Sequence, residues 1–355
     1  MIDLDNTAEF NRLDTQGMLT HIDDLPDQME AAWELGQRLP LPEWQGIDRV
    51  LVAGMGGSAI GADLVGSYIT SFCSVPVLVH RNYDLPGWVS GASSLVIASS
   101  YSGNTEETLS AFDRAQACGC RLVAVTTGGA LARACQMGGA VLWQYHYQSQ
   151  PRAAIGYNAV LLLAILARLG IIPNPAEDLY AAIQTMRTQQ EGLRASTPTV
   201  RNPAKRMAGQ LFGRWVTVFG ADILEPVARR WKGQINELAK AWGQFEYLPE
   251  ADHNTLAAVM NPAEALEHTM ALFLRASSYH PRNLLRTNLT KTGFMLEGLN
   301  TDFIDAQGDN PLAQQWSALH FGDYTAYYLA MAYGVDPTTI AAIEALKVEM
   351  SATGR

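Results

Sequence analysis

"SLVIASSYSGNTEETLSAFDRAQA", residues 94–117, decides the fold. Leu95 to Ala98 run without a polar alternation, so both faces of this segment must be covered, as in a central strand of a parallel sheet. The run breaks at Ser99 into a knot of hydroxyls around one glycine and one asparagine, and then opens a helix with Glu106 and Glu107 where acidic side chains favour a first turn. The turn contains no Lys or Arg. An anion held there would be met by backbone N–H groups, by hydroxyls and by the positive end of a helix dipole.

The same strand, turn and helix order recurs on either side. "RVLVAGMGGSAIGADLVGSYI" (49–69) is an apolar strand, a glycine turn and a helical period; "VPVLVH" (75–80), "RLVAVTT" (121–127) and "AVLWQY" (140–145) read as further strands, and "AAIGYNAVLLLAILARLG" (153–170) as a closing buried helix. A polar, helix-capable stretch from "IIPNPAEDL" through "LRASTPTVRNPAKRM" bridges to a second unit, in which "GRWVTVFGADILEPVARRWKGQINELAKAW" (213–242) restarts the pattern. "QFEYLP", "HTMALFLRA", "RNLLRTNLTKTGFMLEGL" and "NTDFIDAQ" continue it, without a counterpart of the two glycine- and hydroxyl-rich turns. The fold class is therefore α/β: a tandem of two similar halves, each a mainly parallel sheet flanked by helices. The expected units are 1–170 (a helical lead and the first half), 195–335 (the second half) and 336–355, a last helix with Asp336 at its cap and Pro337 at its first position.

A chain of 355 residues that is 48% hydrophobic and 17% charged is long enough for about two domains. Its net charge of −10, with no cluster of Lys or Arg, argues against wrapping nucleic acid or docking on an anionic membrane. The longest apolar run is interrupted by Arg168 and is too short for a membrane span. Four cysteines without metal or thioredoxin spacing read as reduced thiols of a cytoplasmic protein, and the acidic start "MIDLDNTAEFNRLD" shows no secretory signal.

Gly54, Gly56 and Ala59 form a G-x-G-x-x-A string, the pattern of dinucleotide folds. Such folds place an acidic residue after the second strand to hold a ribose hydroxyl, and here His80-Arg81 stands there; an NADP-binding reading stays open through Arg81. So does the reading that these glycines only permit close strand–helix packing. The second turn tips the balance. Ser100, Ser102 and Thr105 supply several hydroxyls where simple N-capping needs one, and a terminal phosphate with three oxygens uses them all.

The two turns resemble the sugar isomerase (SIS) domain. "QPRAAIGY", "INELAK", "LPEADHNTL" and "HFGDYTAYYLAMAYGVDPTTIAAIEALK", in that order, narrow the resemblance to the bifunctional phosphoglucose/phosphomannose isomerases, over about positions 45–350. The resemblance implies two SIS subdomains, a homodimer, no metal and no cofactor, and interconversion of glucose 6-phosphate and mannose 6-phosphate with fructose 6-phosphate through a cis-enediol. It implies phosphate binding by Gly57, Ser58, Ser100, Ser102 and Thr105. It also implies an active-site arginine at Arg152, a catalytic base at Glu237, a ring-opening histidine at His253 donated across the dimer interface, and an assisting lysine at Lys347. The chain departs from the family pattern at Leu238, usually Asn, and at Asp252, usually Asn.

The chemistry wants these residue types on its own account. A carboxylate can carry a proton between C2 and C1 as base and then acid, a fixed guanidinium stabilises an enediolate, and an imidazole trades protons with ring oxygens near neutrality. Each residue also has a plainer reading. Glu237 pairs with Lys240 on a solvated helix face, His253 is a turn residue, Lys347 is an ordinary terminal-helix lysine, and Arg152 pairs with a surface acid. His80, His146, His268, His280 and His320 read as structural, and Tyr324, Tyr327 and Tyr328 as core at helical spacing. Three other functions stay in view: an isomerase for a different phosphosugar, separated by a substrate panel; an NADP oxidoreductase, separated by cofactor titration; and a phosphosugar sensor, which would carry a basic DNA-binding segment that is not seen.

Overall fold

The computed structural model describes residues 3–353. Two parallel sheets organise the chain. The first comprises β1 (Arg49–Ala53), β2 (Val77–His80), β3 (Ser94–Ser100), β4 (Arg121–Thr126) and β5 (Val141–Gln144), in the order β2-β1-β3-β4-β5. The second comprises β6 (Trp215–Ala221), β7 (Gly243–Leu248), β8 (Thr269–Arg275) and β9 (Asn300–Asp305), in the order β7-β6-β8-β9. Every strand pair is parallel.

The absence of polar alternation in β3 has the consequence expected of it, for all its residues are buried. Val50, Val52, Leu95, Ile97, Val123 and Val125 face one way, into the core that holds helices Gly56–Ile69 and Ile155–Arg168. Leu51, Ala53, Val96, Ala98, Leu122 and Ala124 face the other way, against helices Glu106–Ala117 and Gly129–Gly138. Strand order reverses between β1 and β3, and a crevice at the carboxyl ends of strands on either side of such a reversal is where open α/β sheets hold ligands. Both glycine- and hydroxyl-rich turns lie there.

Helix Pro311–Tyr333 joins the halves. It is buried along nearly its whole length, including Tyr324, Tyr327 and Tyr328, and Asn310 caps it by accepting a bond from the Ala313 N–H at 2.8 Å. Its Gln315 amide donates to Leu64 O (3.2 Å) and Ser67 Oγ (2.9 Å) of the first half and to Ile223 O (2.9 Å) of the second. The bridging stretch folds as helices Ala176–Gln190 and Pro203–Leu211, which pack on this helix.

Some expected boundaries move. The second strand starts at Val77, and residues 151–154 form a 3-10 turn before helix Ile155–Arg168 begins. By length and composition Pro151–Arg168 would cross a membrane, yet 72% of it is buried, and it packs against helices Leu25–Arg38 and Gly56–Ile69. It is a core helix. The last helix begins at Ala341, not at Pro337: Asp336 Oδ1 accepts from Thr338 N at 2.8 Å and closes a local turn instead of capping a helix.

Candidate active site

The first turn follows β1 directly. Gly54 lies against the Ser99 carbonyl of β3, and helix Gly56–Ile69 starts without a side-chain cap, which leaves its N-terminus open at the crevice. Ser58 is buried in the first turn of this helix. A Cβ at Gly57 would lie 2.6 Å from Pro151 O and 3.4 Å from Arg152 Cα, so only glycine lets the 151–152 segment press against the turn. This contact brings Arg152 to the crevice.

The second turn follows β3. Ser100 Oγ and Thr105 Oγ1 are 2.9 Å apart, and Gly103 N–H donates to Ser100 Oγ at 3.1 Å. Gly103 has φ +66°, and a Cβ there would collide with Gly128 O. The turn is thereby locked against the loop after β4. Thr105 occupies the cap position of helix Glu106–Ala117 without capping it through its side chain, so a second helix N-terminus stays open. Serial N-capping therefore does not account for these hydroxyls. Ser102 is exposed and accepts from Asn104 N at 3.2 Å.

Arg152 is 3% exposed and spreads over three partners: Nη1 donates to Glu237 Oε2 at 3.4 Å, and Nη2 donates to Pro337 O (2.8 Å) and Thr338 O (2.6 Å). Burial pulls its pKa down and the Glu237 carboxylate opposes that shift, so the buried guanidinium keeps its charge through a partner in the site. Its Nε and the hydroxyl of Thr338 are both buried without a hydrogen-bond partner. Unsatisfied buried groups of this kind cost ~1–3 kcal/mol each.

Glu237 sits near the C-terminal end of helix Glu225–Leu238, about one-third exposed. Lys240 does not pair with its carboxylate. The ammonium donates to the backbone carbonyls of Glu237 (2.8 Å), Leu238 (3.3 Å) and Asp336 (2.6 Å), and partial burial followed by the Arg152 charge pulls its pKa below the ordinary lysine value. Leu238, where the family pattern has Asn, is fully buried.

Contacts thus join Gly57 of the first turn to Arg152 and, through Arg152, to Glu237, and the Gly54–Ser99 approach sets the second turn, with Ser100, Ser102 and Thr105, beside Ser58 at this crevice. His253 and Lys347 stand apart from it. His253 is exposed on the short turn Glu250–His253 after β7, and Lys347 is exposed on helix Ala341–Ala352. Asp252, its neighbour in sequence, turns to helix Pro281–Leu296, where it accepts from Arg286 Nη1 (2.8 Å) and Thr290 Oγ1 (2.7 Å). Arg81, the residue that kept an NADP reading open, is paired with Asp63. Among the described residues no group of three or more His, Cys, Asp or Glu side chains is placed to hold a metal ion.

Two supporting side chains escaped the sequence reading. Gln28 is buried, donates to Ala153 O at 2.9 Å and accepts from Tyr157 N at 3.2 Å, which fixes the turn that carries Arg152. Tyr101 OH donates to the carbonyls of Tyr147 (2.8 Å) and Ser149 (2.7 Å) and braces the chain entering the same turn. A lone Gln in a helical lead carries no signal of this. Tyr101, inside the hydroxyl turn, did offer one.

Comparison with known proteins gives the same direction as the geometry. A family model described as the bacterial phospho-glucose isomerase C-terminal SIS domain matches residues 200–350. A bifunctional phosphoglucose/phosphomannose isomerase of Caldicellulosiruptor bescii is 34% identical over 94% of this chain and 99% of its own length. One of Aquifex aeolicus is 30% identical over 87% of this chain and 94% of its own. The crystal structure of a glucose-6-phosphate isomerase like protein from Thermus thermophilus superposes with a TM-score of 0.65 at 21% identity, over 96% of this chain and 99% of that one, a likeness of fold.

Proposed function

The chain belongs to the bifunctional phosphoglucose/phosphomannose isomerases, and from that premise we propose that it interconverts glucose 6-phosphate and mannose 6-phosphate with fructose 6-phosphate at the crevice between β1 and β3. The observation that carries this reading is the Arg152–Glu237 contact of 3.4 Å, held by Gly57 against the first of two cation-free, hydroxyl-bearing turns. Phosphate recognition is assigned to Gly57, Ser58, Ser100, Ser102 and Thr105, with two uncapped helix N-termini supplying the positive field.

With the phosphate anchored there, the sugar chain extends toward the carboxylate. Glu237 removes the C2 proton of the open-chain aldose, the C–H electron pair forms a C1–C2 double bond as the C1=O π pair moves to O1, the O2 proton passes to O1, and C2=O then forms as the C1–C2 π pair takes the proton back from the same carboxyl at C1. Arg152, out of contact with bulk water, stabilises the enediolate oxygen, an interaction that strengthens as charge develops. Ring opening falls to His253 of the partner subunit, with Lys347 assisting. This requires a homodimer, and a monomer would be inactive. The carboxylate, guanidinium and imidazole suffice for these steps without a metal or cofactor. We place the enzyme in the cytoplasm, in glycolysis and gluconeogenesis.

A coupled assay of the purified protein with each of the three sugar phosphates tests the reading, alongside Glu237→Gln. Turnover of glucose 6-phosphate and mannose 6-phosphate, lost in the Gln variant, is the expected result. A wild-type protein that turns over none of them overturns the function, and a Gln variant as fast as wild type overturns the base.

A further inference from the structure

We propose that Lys240 is a positioning residue for the isomerisation, tying the helix end that carries Glu237 to the strap Asp336–Thr338. This inference rests on the isomerase reading above. Three successive carbonyls of the strap are taken by two cations. Asp336 O accepts from Lys240 Nζ at 2.6 Å, and Pro337 O and Thr338 O accept from Arg152 Nη2 at 2.8 and 2.6 Å. The same Lys240 ammonium reaches back to the carbonyls of Glu237 and Leu238, at 2.8 and 3.3 Å. An ammonium has three N–H donors, and here all of them are engaged by backbone oxygens.

The backbone of Lys240 makes the case sharper. Helix Glu225–Leu238 ends with Ala239 at its cap, and the next residue, Lys240, has φ +53°. That is the left-handed position after a helix that glycine ordinarily fills, because a Cβ there is strained. A helix stop alone calls for glycine. A lysine at this position keeps a strained conformation and repays it only through its side chain, which closes the last turn with a positive charge and fastens the strap.

The functional consequence is geometric. Glu237 lies one turn or less from the helix end, where backbone fraying is greatest, and its proton transfer depends on sub-ångström placement over C1 and C2. The strap in turn leads into helix Ala341–Ala352, which bears Lys347. Arg152, paired with the Glu237 carboxylate, and Lys240, bonded to the Glu237 carbonyl, therefore both hold the strap. Loss of Lys240 frees the base and the strap together without removing any group that touches substrate.

Lys240→Gly tests this directly, because glycine restores the favoured residue for the backbone and so preserves the helix stop. The expected result has four parts: a thermal midpoint equal to or above wild type, a kcat for fructose 6-phosphate lower by ~10- to 100-fold, a KM within ~3-fold, and faster amide hydrogen exchange over residues 336–342. Lys240→Arg, which can still donate to several carbonyls, recovers a large part of kcat. A Gly variant with wild-type kcat overturns the inference, as does a loss confined to KM or a folding defect that Arg does not rescue. Lys232→Met, on the same helix, is the control with unchanged rates. Inactive wild-type protein would instead sink the isomerase reading, so the two failures are told apart; the exchange measurement reads the strap in either case.

Discussion

Gly57 shows how much of the site hangs on one missing methyl. Its substitution by Ala would set a Cβ 2.6 Å from Pro151 O, and either the first turn or the Arg152 segment must retreat. We expect Gly57→Ala to fold, with a thermal midpoint a few degrees lower, and to raise KM for fructose 6-phosphate more than it lowers kcat; steady-state kinetics check this, and an unchanged KM would deny the close approach any role. Arg152→Lys should behave differently. A lysine keeps the charge but cannot reach a carboxylate and two carbonyls in one plane, so kcat should fall by ~10²-fold or more. At this scale the sequence was legible where side-chain type carries the chemistry: the hydroxyls, the glycines, the carboxylate and the guanidinium. It was not legible where the partner is a backbone carbonyl. Nothing in "VDPTT" announces that Pro337 and Thr338 accept from Arg152, and the spacing of Glu237 and Lys240 suggested a side-chain pair where the ammonium instead seeks the backbone.

Among the elements, helix Pro311–Tyr333 combines deep burial with polar residues, and His320 is the most consequential of these. The ring is fully buried, its Nε2 lies 2.8 Å from Ile22 O, and its Nδ1 has no partner. A carbonyl only accepts, so Nε2 carries a proton, while Nδ1, buried without an acceptor, is a poor place for a second. Burial pulls its pKa down to about 4 from an ordinary value of 6.5. Below pH 6.5 the unfolded chain takes up a proton that the folded chain refuses, so stability is lost as pH falls from 6.5 toward 4, by up to ~3 kcal/mol when the window is fully crossed. Thermal midpoints between pH 7.5 and 4.5 should therefore fall less steeply for His320→Gln than for wild type; parallel slopes would show that His320 does not contribute. The strands of the first sheet were readable because their runs are apolar. The start of the last helix was not, because Asp336-Pro337 is as good a signature for the Asx turn that forms as for the helix cap that does not.

Across the whole molecule the two halves share a topology and differ in what fills the crevice. After β6 stands Asp222, with φ +45°, and its carboxylate accepts from His280 N (2.9 Å) and Asn283 Nδ2 (2.7 Å) at the start of helix Pro281–Leu296. In the second half a carboxylate of the chain itself therefore meets the start of the following helix. The second half carries exposed His253 and also exposes Met260, Leu285, Leu289 and Leu296. If His253 serves the neighbouring subunit's site, co-expression of Glu237→Gln with His253→Asn should restore activity to about one quarter of wild type, since half the dimers are mixed and each has one complete site. Recovery at the level of either variant alone would place the histidine elsewhere. In the proposed mechanism neutral donors grip the phosphate and leave the ionisable groups free to move protons. Its most direct measurement is a crystal structure with fructose 6-phosphate bound. The phosphate is expected between Ser58, Ser100, Ser102 and Thr105 with C1 and C2 beside Glu237. A phosphate lodged in the cleft of about 830 Å³ between the halves, on Arg81 and Arg229, would contradict it.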